Sequence, residues 1–321
     1  MNSKNYRLFL TLILLLATPQ DVKAEKCLFV SSYHQGYDWA DGIEDGVRQI
    51  LIGQCEFKQI NMDTKRNKSE EYKTAKALEV KDFIDQWKPD VVVVADDNAS
   101  KYLVKPYFRN SDLPFVFCGI NWTVAEYGYP YENATGMIEV APIQQMYELI
   151  KSVKPQATVA YYVAADTLTE EKSFYRYQRA AKKYNIRLVN KLSKSLLEWQ
   201  QAFQEGQDAD FIILGTKSGI NDWDDELAYA KVKETGRVLS LTAYEWMVQY
   251  TILGMTKVPQ EQGIWAAKVA LEILAGAQPR SIPIIPNQQW DMLINASLLQ
   301  SSHVTLPESF LIKSKKVYVT E

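Results

Sequence analysis

Short apolar runs alternate with longer polar stretches in the first part of the chain. The apolar runs predict strands near residues 27–31, 57–62, 91–94 and 113–117. Helices are predicted between them over about 39–52 and 70–86, the second from apolar positions near helical period. Residues 91–94 are all valine, which is typical of a strand buried on both faces. This order predicts a parallel sheet with right-handed crossovers.

The same alternation starts again in the second half of the chain. Strands are predicted near residues 158–163, 186–189, 211–214 and 237–241, with a helix over about 170–184. Residues 89–99 and 209–219 also share one order: an Asp, four apolar residues, a small residue and a polar loop. We therefore predict two similar α/β lobes. The alternative is that these two segments are unrelated strands that happen to be of the same class.

The N-terminus has the pattern of a secretory signal peptide. Lys4 and Arg7 precede an apolar run of about ten residues, too short to span a bilayer, which needs about 20 helical residues. Small or β-branched residues at Val22 and Ala24 predict cleavage after Ala24, so that residues 1–24 are removed. A retained signal anchor is the alternative. The mature chain is expected in the periplasm.

Composition narrows the class of protein. The chain has 321 residues, 47% of them hydrophobic, and a formal charge of −3 from 36 basic and 39 acidic residues. Its length favours two domains, and its balanced charge gives no basic footprint for nucleic acid. The 19 tyrosines and 8 tryptophans are unusually many. Aromatic side chains mostly fill cores, but they also line pockets for small ligands.

Export allows two of the three cysteines to pair. Cys27 begins the first predicted strand, and Cys55 precedes the second. If these strands are parallel neighbours, their first residues lie side by side, and a Cys27–Cys55 disulfide fits. Cys118 is expected to be a buried thiol. The absence of a CxxC motif gives no support for zinc or thioredoxin-like chemistry.

Polar and aromatic residues are concentrated where the predicted strands end. These loops cover residues 31–39, 96–99, 119–122, 164–167, 215–218 and 241–244. Ligands of open parallel sheets bind outside the carboxyl ends of the strands, so the loops predict a cleft. Each residue also has a purely structural alternative. Asp96 and Asp97 can cap helices, Trp39 can belong to the core, and Glu139 and Lys217 can face water.

Catalysis has little support in the sequence. The two histidines, His34 and His303, are far apart, and no common hydrolase, metalloprotease or phosphate-loop motif is present. Adjacent Asp96 and Asp97 are weak grounds for a metal site. We therefore expect no enzyme activity, no metal and no cofactor.

Five ordered segments carry a family resemblance. They are residues 32–39 (SYHQGYDW), 63–66 (DTKR), 96–99 (DDNA), 117–121 (FCGIN) and 135–139 (TGMIE). Together they resemble the periplasmic substrate-binding proteins of ABC transporters, which have the type I binding-protein fold. The similarity is greatest to the branch also found as extracellular sensor domains of membrane kinases and diguanylate cyclases. Residues 263–267, 293–295 and 305–310 are similar to the closing motifs, so the resemblance covers about residues 26–321.

The resemblance implies two Rossmann-like lobes with parallel sheets, joined by a hinge of crossing strands. The first crossing is expected at residues 135–140 and the second at about 241–244. Lobe 1 then contains residues 25–138 plus about 243–282. Lobe 2 contains residues 139–242 plus about 283–321.

The matching motifs also imply ligand-binding residues. On the first lobe and hinge these are Tyr33, Trp39, Asp97, Asn98, Asn121 and Glu139. Their positions at strand ends add Asp166, Lys217 and Tyr244 on the second lobe. Tyr33 and Trp39 are expected to stack on the ligand, Asp97 or Glu139 to pair with a cationic group, and Lys217 or loop N–H groups to hold a carboxylate.

The implied function is capture of a small molecule, with an amino acid as the first candidate, and its delivery to an ABC permease. The alternative is a periplasmic ligand sensor that docks on a membrane histidine kinase or diguanylate cyclase. The sensor branch usually continues into a transmembrane helix, whereas this sequence ends at Glu321, so a separate partner is expected to receive the ligand or signal. A secreted enzyme on the same scaffold is the minor alternative. The chain is expected to be a monomer.

Overall fold

The computed structural model describes residues 24–317. Apart from Ala24, the predicted signal peptide lies outside the described residues. No helix in residues 24–317 is both long enough and apolar enough to cross a membrane.

The described chain contains two series of strands separated by helices. The strands are β1 (Lys26–Ser31), β2 (Glu56–Asn61), β3 (Val91–Ala95), β4 (Phe115–Asn121), β5 (Ala134–Glu139), β6 (Val159–Ala165), β7 (Arg187–Ser193), β8 (Phe211–Leu214), β9 (Leu239–Thr242), β10 (Leu253–Lys257), β11 (Ile285–Pro286), β12 (Trp290–Asn295) and β13 (Lys315–Val317). The α-helices are α1 (Asp38–Leu51), α2 (Glu70–Trp87), α3 (Asp96–Asn98), α4 (Lys105–Tyr107), α5 (Ile143–Val153), α6 (Leu168–Lys183), α7 (Leu196–Glu205), α8 (Asp225–Thr235), α9 (Pro259–Leu274), α10 (Ala296–Ser301) and α11 (Glu308–Lys313). A π-helical segment, Ala99–Val104, joins α3 to α4, and Ala125–Tyr127, Gly206–Asp208, Glu245–Tyr250 and Pro279–Ser281 are short 3₁₀ helices.

The first lobe is built on a parallel six-stranded sheet with the order β11-β5-β4-β3-β1-β2. Strand β3 is fully buried because helices cover both faces of the sheet. Val92 and Val94 pack on the face that carries α2, whereas Val91 and Val93 pack on the face that carries α1 and α9. The all-valine run therefore occupies the position that its composition predicts.

Helix α9 comes late in the chain but packs against α1 of the first lobe. Their backbones touch at Gly263, where an added Cβ would lie 2.0 Å from the carbonyl oxygen of Ile43. Any side chain at this position would separate the two helices. Gly263 therefore explains how a distant segment of sequence completes the first lobe.

The second lobe is built on a seven-stranded sheet with the order β13-β12-β10-β9-β8-β6-β7. All neighbouring pairs are parallel except β10 and β12. Strand β8 lies between β6 and β9, just as β3 lies between β1 and β4. The two similar segments at residues 89–99 and 209–219 therefore occupy equivalent positions. The predicted α/β class with two parallel sheets is confirmed.

Three segments cross between the lobes, after β5, after β10 and after β11. We expected the second crossing at residues 241–244, but β10 adds a further strand to the second sheet, so the chain crosses after Lys257. Residues 285–286 form β11 in the first sheet, although we assigned them to lobe 2. The sheets therefore divide the C-terminal half differently from the expected boundaries.

Hydrogen bonds tie the crossing segments to one another. The Val140 N–H donates to Asn287 Oδ1 at 2.8 Å. The carboxylate of Glu261, in the first turn of α9, accepts bonds from the backbone N–H groups of Gln288 and Gln289 at 2.7 and 2.8 Å. The three crossings thus form one connected hinge.

The structure joins Cys27 to Cys55 by a disulfide, with their Cα atoms 6.0 Å apart. Strands β1 and β2 are parallel neighbours, as this pairing requires. Cys118 is a buried free thiol on β4, and burial raises its pKa well above the ordinary value.

Candidate functional site between the lobes

The loops at the carboxyl ends of both sheets meet beside the hinge. The guanidinium carbon of Arg176, on α6 of the second lobe, lies 4.3 Å from the centroid of the Trp122 ring, which follows β4 of the first lobe. Burial raises the pKa of Tyr244, after β9, and the charge of Glu139, at the end of β5, adds to the shift, so these two side chains lie near each other. The candidate site is therefore made by both lobes.

Asp96 is buried at the end of β3 and bonded to Trp39. The indole N–H of Trp39 donates to Asp96 Oδ1 at 3.0 Å, whereas the other carboxyl oxygen is buried without a hydrogen-bond partner. Burial raises the pKa of Asp96 well above its ordinary value, and the charge of Glu139 adds to the shift. This environment therefore favours the neutral carboxylic acid form of Asp96 over the carboxylate.

The backbone of β4 passes unusually close to the side chain of Asp96. Gly119 on β4 has φ +71°, and an added Cβ would lie 2.9 Å from Asp96 Oδ1. Asp96 itself has φ +68°, a left-handed conformation that Asp and Asn tolerate better than most residues. The motifs 96–99 and 117–121 are thus tied together at the inner edge of the first lobe.

Asp97 and Asn121, both predicted for the site, contact each other. Asn121 Nδ2 donates to Asp97 Oδ2 at 2.8 Å, and the hydroxyl of Tyr127 donates to Asp97 Oδ1 at 2.7 Å. Asn121 is exposed and Asp97 is half-buried, so a polar ligand can approach this pair.

Asn98 has a different partner from its neighbour Asp97. Its side-chain amide donates to Thr64 Oγ1 at 2.8 Å, and the Thr64 hydroxyl donates to the carbonyl of Ser32. Asn98 thereby links the loop after β3 to the loops after β1 and β2.

Tyr33 lies among the acidic groups of the first lobe. Burial raises its pKa above the ordinary value, and the charges of Asp96, Asp97 and Glu139 contribute. Its ring meets the Tyr37 ring edge-on at 5.6 Å, and the ammonium of Lys65 lies 4.8 Å from its centroid. Tyr33 was expected to stack on the ligand, and the ammonium of Lys65 lies over its ring in this structure.

Glu139 is almost fully buried, so the alternative in which it faces water does not apply. Its carboxylate pairs with the ammonium of Lys257 at the end of β10. The same ammonium lies 5.3 Å from the ring centroid of Trp39. The ammonium of Lys257, which belongs to the second sheet, therefore contacts both Glu139 and Trp39.

Glu170 organises the edge of the second lobe. Its buried carboxylate accepts hydrogen bonds from the hydroxyls of Tyr162 at 2.6 Å and Tyr244 at 2.9 Å, and from the N–H of Thr216 at 3.3 Å. Burial raises the pKa of Glu170, while these bonds oppose the shift. Tyr244 is held in place by this cluster.

Trp246 adds an exposed aromatic ring to the same edge. Its ring centroid lies 5.0 Å from that of Tyr244, and its indole N–H donates to Thr216 Oγ1 at 3.2 Å. The Trp246 side chain remains 49% exposed despite these contacts. It therefore offers a fixed apolar surface beside Tyr244.

Lys217 and Asp166 are engaged within the second lobe. The Lys217 ammonium pairs with Asp225 and lies 5.3 Å from the Trp223 ring centroid. The hydrogen bond from Lys217 lowers the pKa of Asp225 to about 2. Asp166 is exposed, 3.6 Å from the ammonium of Lys194. Neither side chain joins the cluster around Glu139 and Tyr244.

Several site residues were missed by the sequence analysis. Glu170 could have been noticed as the fourth residue of a capping box, since Thr167 Oγ1 accepts from its N–H. Asp96 was quoted in a motif but not selected for the site. Lys257, Trp246 and Arg176 carry no local signal, because their roles depend on contacts with distant parts of the chain.

No group of three or more His, Cys, Asp or Glu side chains in the described part of the chain is placed to hold a metal ion. The chemistry available at the lobe boundary is hydrogen bonding, aromatic contact and charge pairing. These are the interactions of a binding site.

Two hinged α/β lobes with polar and aromatic side chains at their boundary suit a binding protein. The family model for ABC transporter substrate-binding proteins matches residues 29–318, so the chain belongs to that family. The predicted family resemblance is confirmed. No curated protein sequence matches the chain.

Solved structures agree on the fold. A ligand-free, open substrate-binding protein with adhesive properties from Clostridium difficile is 13% identical, with a TM-score of 0.75, over 92% of this chain and 100% of its own. An ABC domain from Streptococcus pneumoniae, in complex with L-Trp, is 18% identical, with a TM-score of 0.56, over 92% of this chain and 100% of its own. An arabinose-binding protein from Geobacillus stearothermophilus is 13% identical, with a TM-score of 0.57, over 86% of this chain and 99% of its own. They support the type I periplasmic binding-protein fold.

Proposed function

We propose that this protein captures a small solute between its lobes, outside the cytoplasmic membrane, and delivers it to an ABC permease. The observation that carries the proposal is the meeting of the two strand-end edges at the hinge, where Glu139 of the first sheet pairs with Lys257 of the second. Membership of the family supports a small-molecule ligand and a permease partner. Nothing in this chemistry requires turnover, so the solute is released unchanged.

Closure supplies the mechanism of capture. A solute that contacts the Asp97–Asn121 pair of the first lobe and the Tyr244–Trp246 pair of the second makes both sets of contacts only when the lobes are close. It then shifts the open–closed equilibrium by its difference in affinity for the two states. The permease would recognise the closed form, in which both lobes present one continuous surface.

An amino acid is the first candidate for the solute. The carboxylate of Asp97 is held by Asn121 and Tyr127 and is placed to pair with an ammonium group. The exposed ring of Trp246 gives an apolar surface for a side chain. Two structures of the same fold were solved with L-Trp and with Leu. Sugars are the competing class, since other neighbours are ribose and arabinose proteins.

The experiment is identification of the solute, followed by calorimetry. Small molecules released from the purified protein by denaturation are identified by mass spectrometry. The amino acids, ribose and arabinose are then titrated into the wild type. Binding of an amino acid, weakened about tenfold or more in D97N and unchanged in the exposed control E126Q, supports the proposal. Sugar binding alone excludes the amino acid, and no binding of any released or added solute excludes capture.

The five motifs shared with extracellular sensor domains favour a second candidate, a ligand sensor that docks on a membrane kinase or cyclase. The two functions differ in the protein that recognises the closed form. Co-purification of the solute-loaded protein with a permease supports transport, and co-purification with a kinase or cyclase supports sensing. Recovery of a chemically altered solute would instead indicate a secreted enzyme.

A further inference from the structure

Two cationic side chains at the lobe boundary, Lys257 and Arg176, differ in their partners. Lys257 is paired with Glu139. Within residues 24–317, no carboxylate forms an ion pair with Arg176. Within the described residues, Arg176 therefore lacks the carboxylate counter-charge that Lys257 has.

The surroundings of Arg176 make that charge unfavourable. The side chain is half-buried and lies against Trp122 of the other lobe. Burial lowers the pKa of Arg176, and the like charge of Arg179 adds to the shift. An anion bound here would offset both the loss of hydration and the repulsion.

A cavity of about 590 Å³ adjoins Arg176. It is lined by Trp122 and Thr123 from the first lobe and by residues of α5 and α6, including Arg176, Arg179 and Lys183. Three of its lining residues are cationic, and none is acidic. Its volume lies within the usual range for small-molecule sites, about 300–1,000 Å³.

We propose that this cavity binds an anionic group of the captured solute, of the carboxylate class, and that Arg176 is the direct counter-charge. The proposal rests on the proposed function and narrows it to acidic or zwitterionic solutes. The Trp122 ring contacts the guanidinium, whose N–H groups can make paired hydrogen bonds with a carboxylate. Because the solute then bonds to α6 while it contacts the first lobe, this charge pair also favours closure.

Two probes test the proposal, each with the same variants. R176M removes the charge but keeps a side chain of similar length. R176K keeps the charge but lacks the planar guanidinium group that donates paired hydrogen bonds. K182Q is the matched control, because Lys182 is exposed on the same helix and does not line the cavity. Circular dichroism establishes that each variant is folded.

The first probe is inorganic sulfate, compared with chloride at equal ionic strength by thermal unfolding. Since sulfate stabilises folded proteins in general, the specific effect is the difference between wild type and R176M. The proposal predicts that wild type and K182Q gain more stability from sulfate than R176M does. Equal gains in all three proteins overturn the anion site.

The second probe compares L-tryptophan and L-leucine with their carboxamides, which lack the negative charge. Wild type is expected to bind the acids about 10- to 100-fold more tightly than the amides, the usual range for a charged hydrogen bond. R176M loses this preference, R176K keeps part of it and K182Q keeps all of it. An unchanged preference in R176M overturns the role of Arg176.

The two probes separate this proposal from the proposed function. If no amino acid binds wild type but the sulfate effect depends on Arg176, the amino-acid ligand is wrong and the anion site stands. If amino acids bind equally well to wild type and R176M, capture stands and the anion site is wrong.

Discussion

Glu139 and Lys257 form an ion pair between the last residue of β5 and the last residue of β10. Each residue comes immediately before a segment that crosses to the other lobe. The carboxylate belongs to the first sheet and the ammonium to the second, although they are 118 residues apart in sequence. This pair therefore fixes two of the three crossing segments relative to each other.

Removing the ammonium should destabilise the fold. In K257M, the buried Glu139 carboxylate loses its counter-charge, and we expect a loss of about 3 kcal/mol in the free energy of unfolding. K315M is the matched control, because the ion pair between Lys315 and Asp291 is exposed and should contribute less than about 1 kcal/mol to the free energy of unfolding. Urea unfolding measures both. A K257M loss no larger than that of K315M would show that the pair does not hold the hinge.

Asp96 should make stability depend on pH. Its pKa is higher in the folded protein than in the unfolded chain, so the folded state binds more protons above about pH 4. Stability contributed by Asp96 is therefore lost as pH rises towards the raised pKa, by up to about 1.4 kcal/mol per pH unit. D96N does not titrate and keeps the left-handed backbone.

The measurement is the thermal midpoint of D96N and wild type between pH 4 and pH 8. The stability of D96N relative to wild type should increase as pH rises. A difference that is independent of pH would mean that Asp96 is ionised in the folded protein.

Tyr244 and Glu170 should be energetically coupled. Y244F removes one donor to a buried carboxylate, and we expect a loss of about 1–2 kcal/mol. In E170Q the acceptor is already weakened, so Y244F should cost less in that background. A double-mutant cycle by chemical denaturation measures the coupling. Additive losses would argue against the bond, and Y175F, at an exposed tyrosine, is the control.

The disulfide should stabilise the first lobe. It closes a loop between residues 28 positions apart, for which loop entropy gives about 3–4 kcal/mol. C27S/C55S should lose about this much in denaturant unfolding, and a reductant should lower wild-type stability without affecting the double variant. If the reductant affects both proteins equally, the bridge is not the cause.

Local patterns were sufficient to predict eight of the thirteen strands in residues 24–317. The all-valine run at residues 91–94 predicted the buried strand β3, and the similar segment 120 residues later predicted the interior strand β8. Asp97 and Asn121, which the family resemblance implied for the site, are hydrogen-bonded to each other. These predictions succeed because burial and strand geometry are encoded within a few residues.

The second crossing and several site residues were not predictable in this way. Strand β10 is short and contains Gly254 and Thr256, so its apolar pattern is weak, and its place in the sheet depends on pairing with β9 and β12. Lys257 and Arg176 acquire their roles from residues in the other lobe. A single sequence does not encode such long-range partners in any local pattern.

Small-angle X-ray scattering with and without the solute identified by calorimetry tests capture between the lobes most directly. Closure of two lobes around a solute predicts a smaller radius of gyration in the bound protein, with the mass of a monomer in both states. An unchanged scattering curve at solute concentrations that saturate binding would contradict the account, because the solute would then bind without bringing the lobes together.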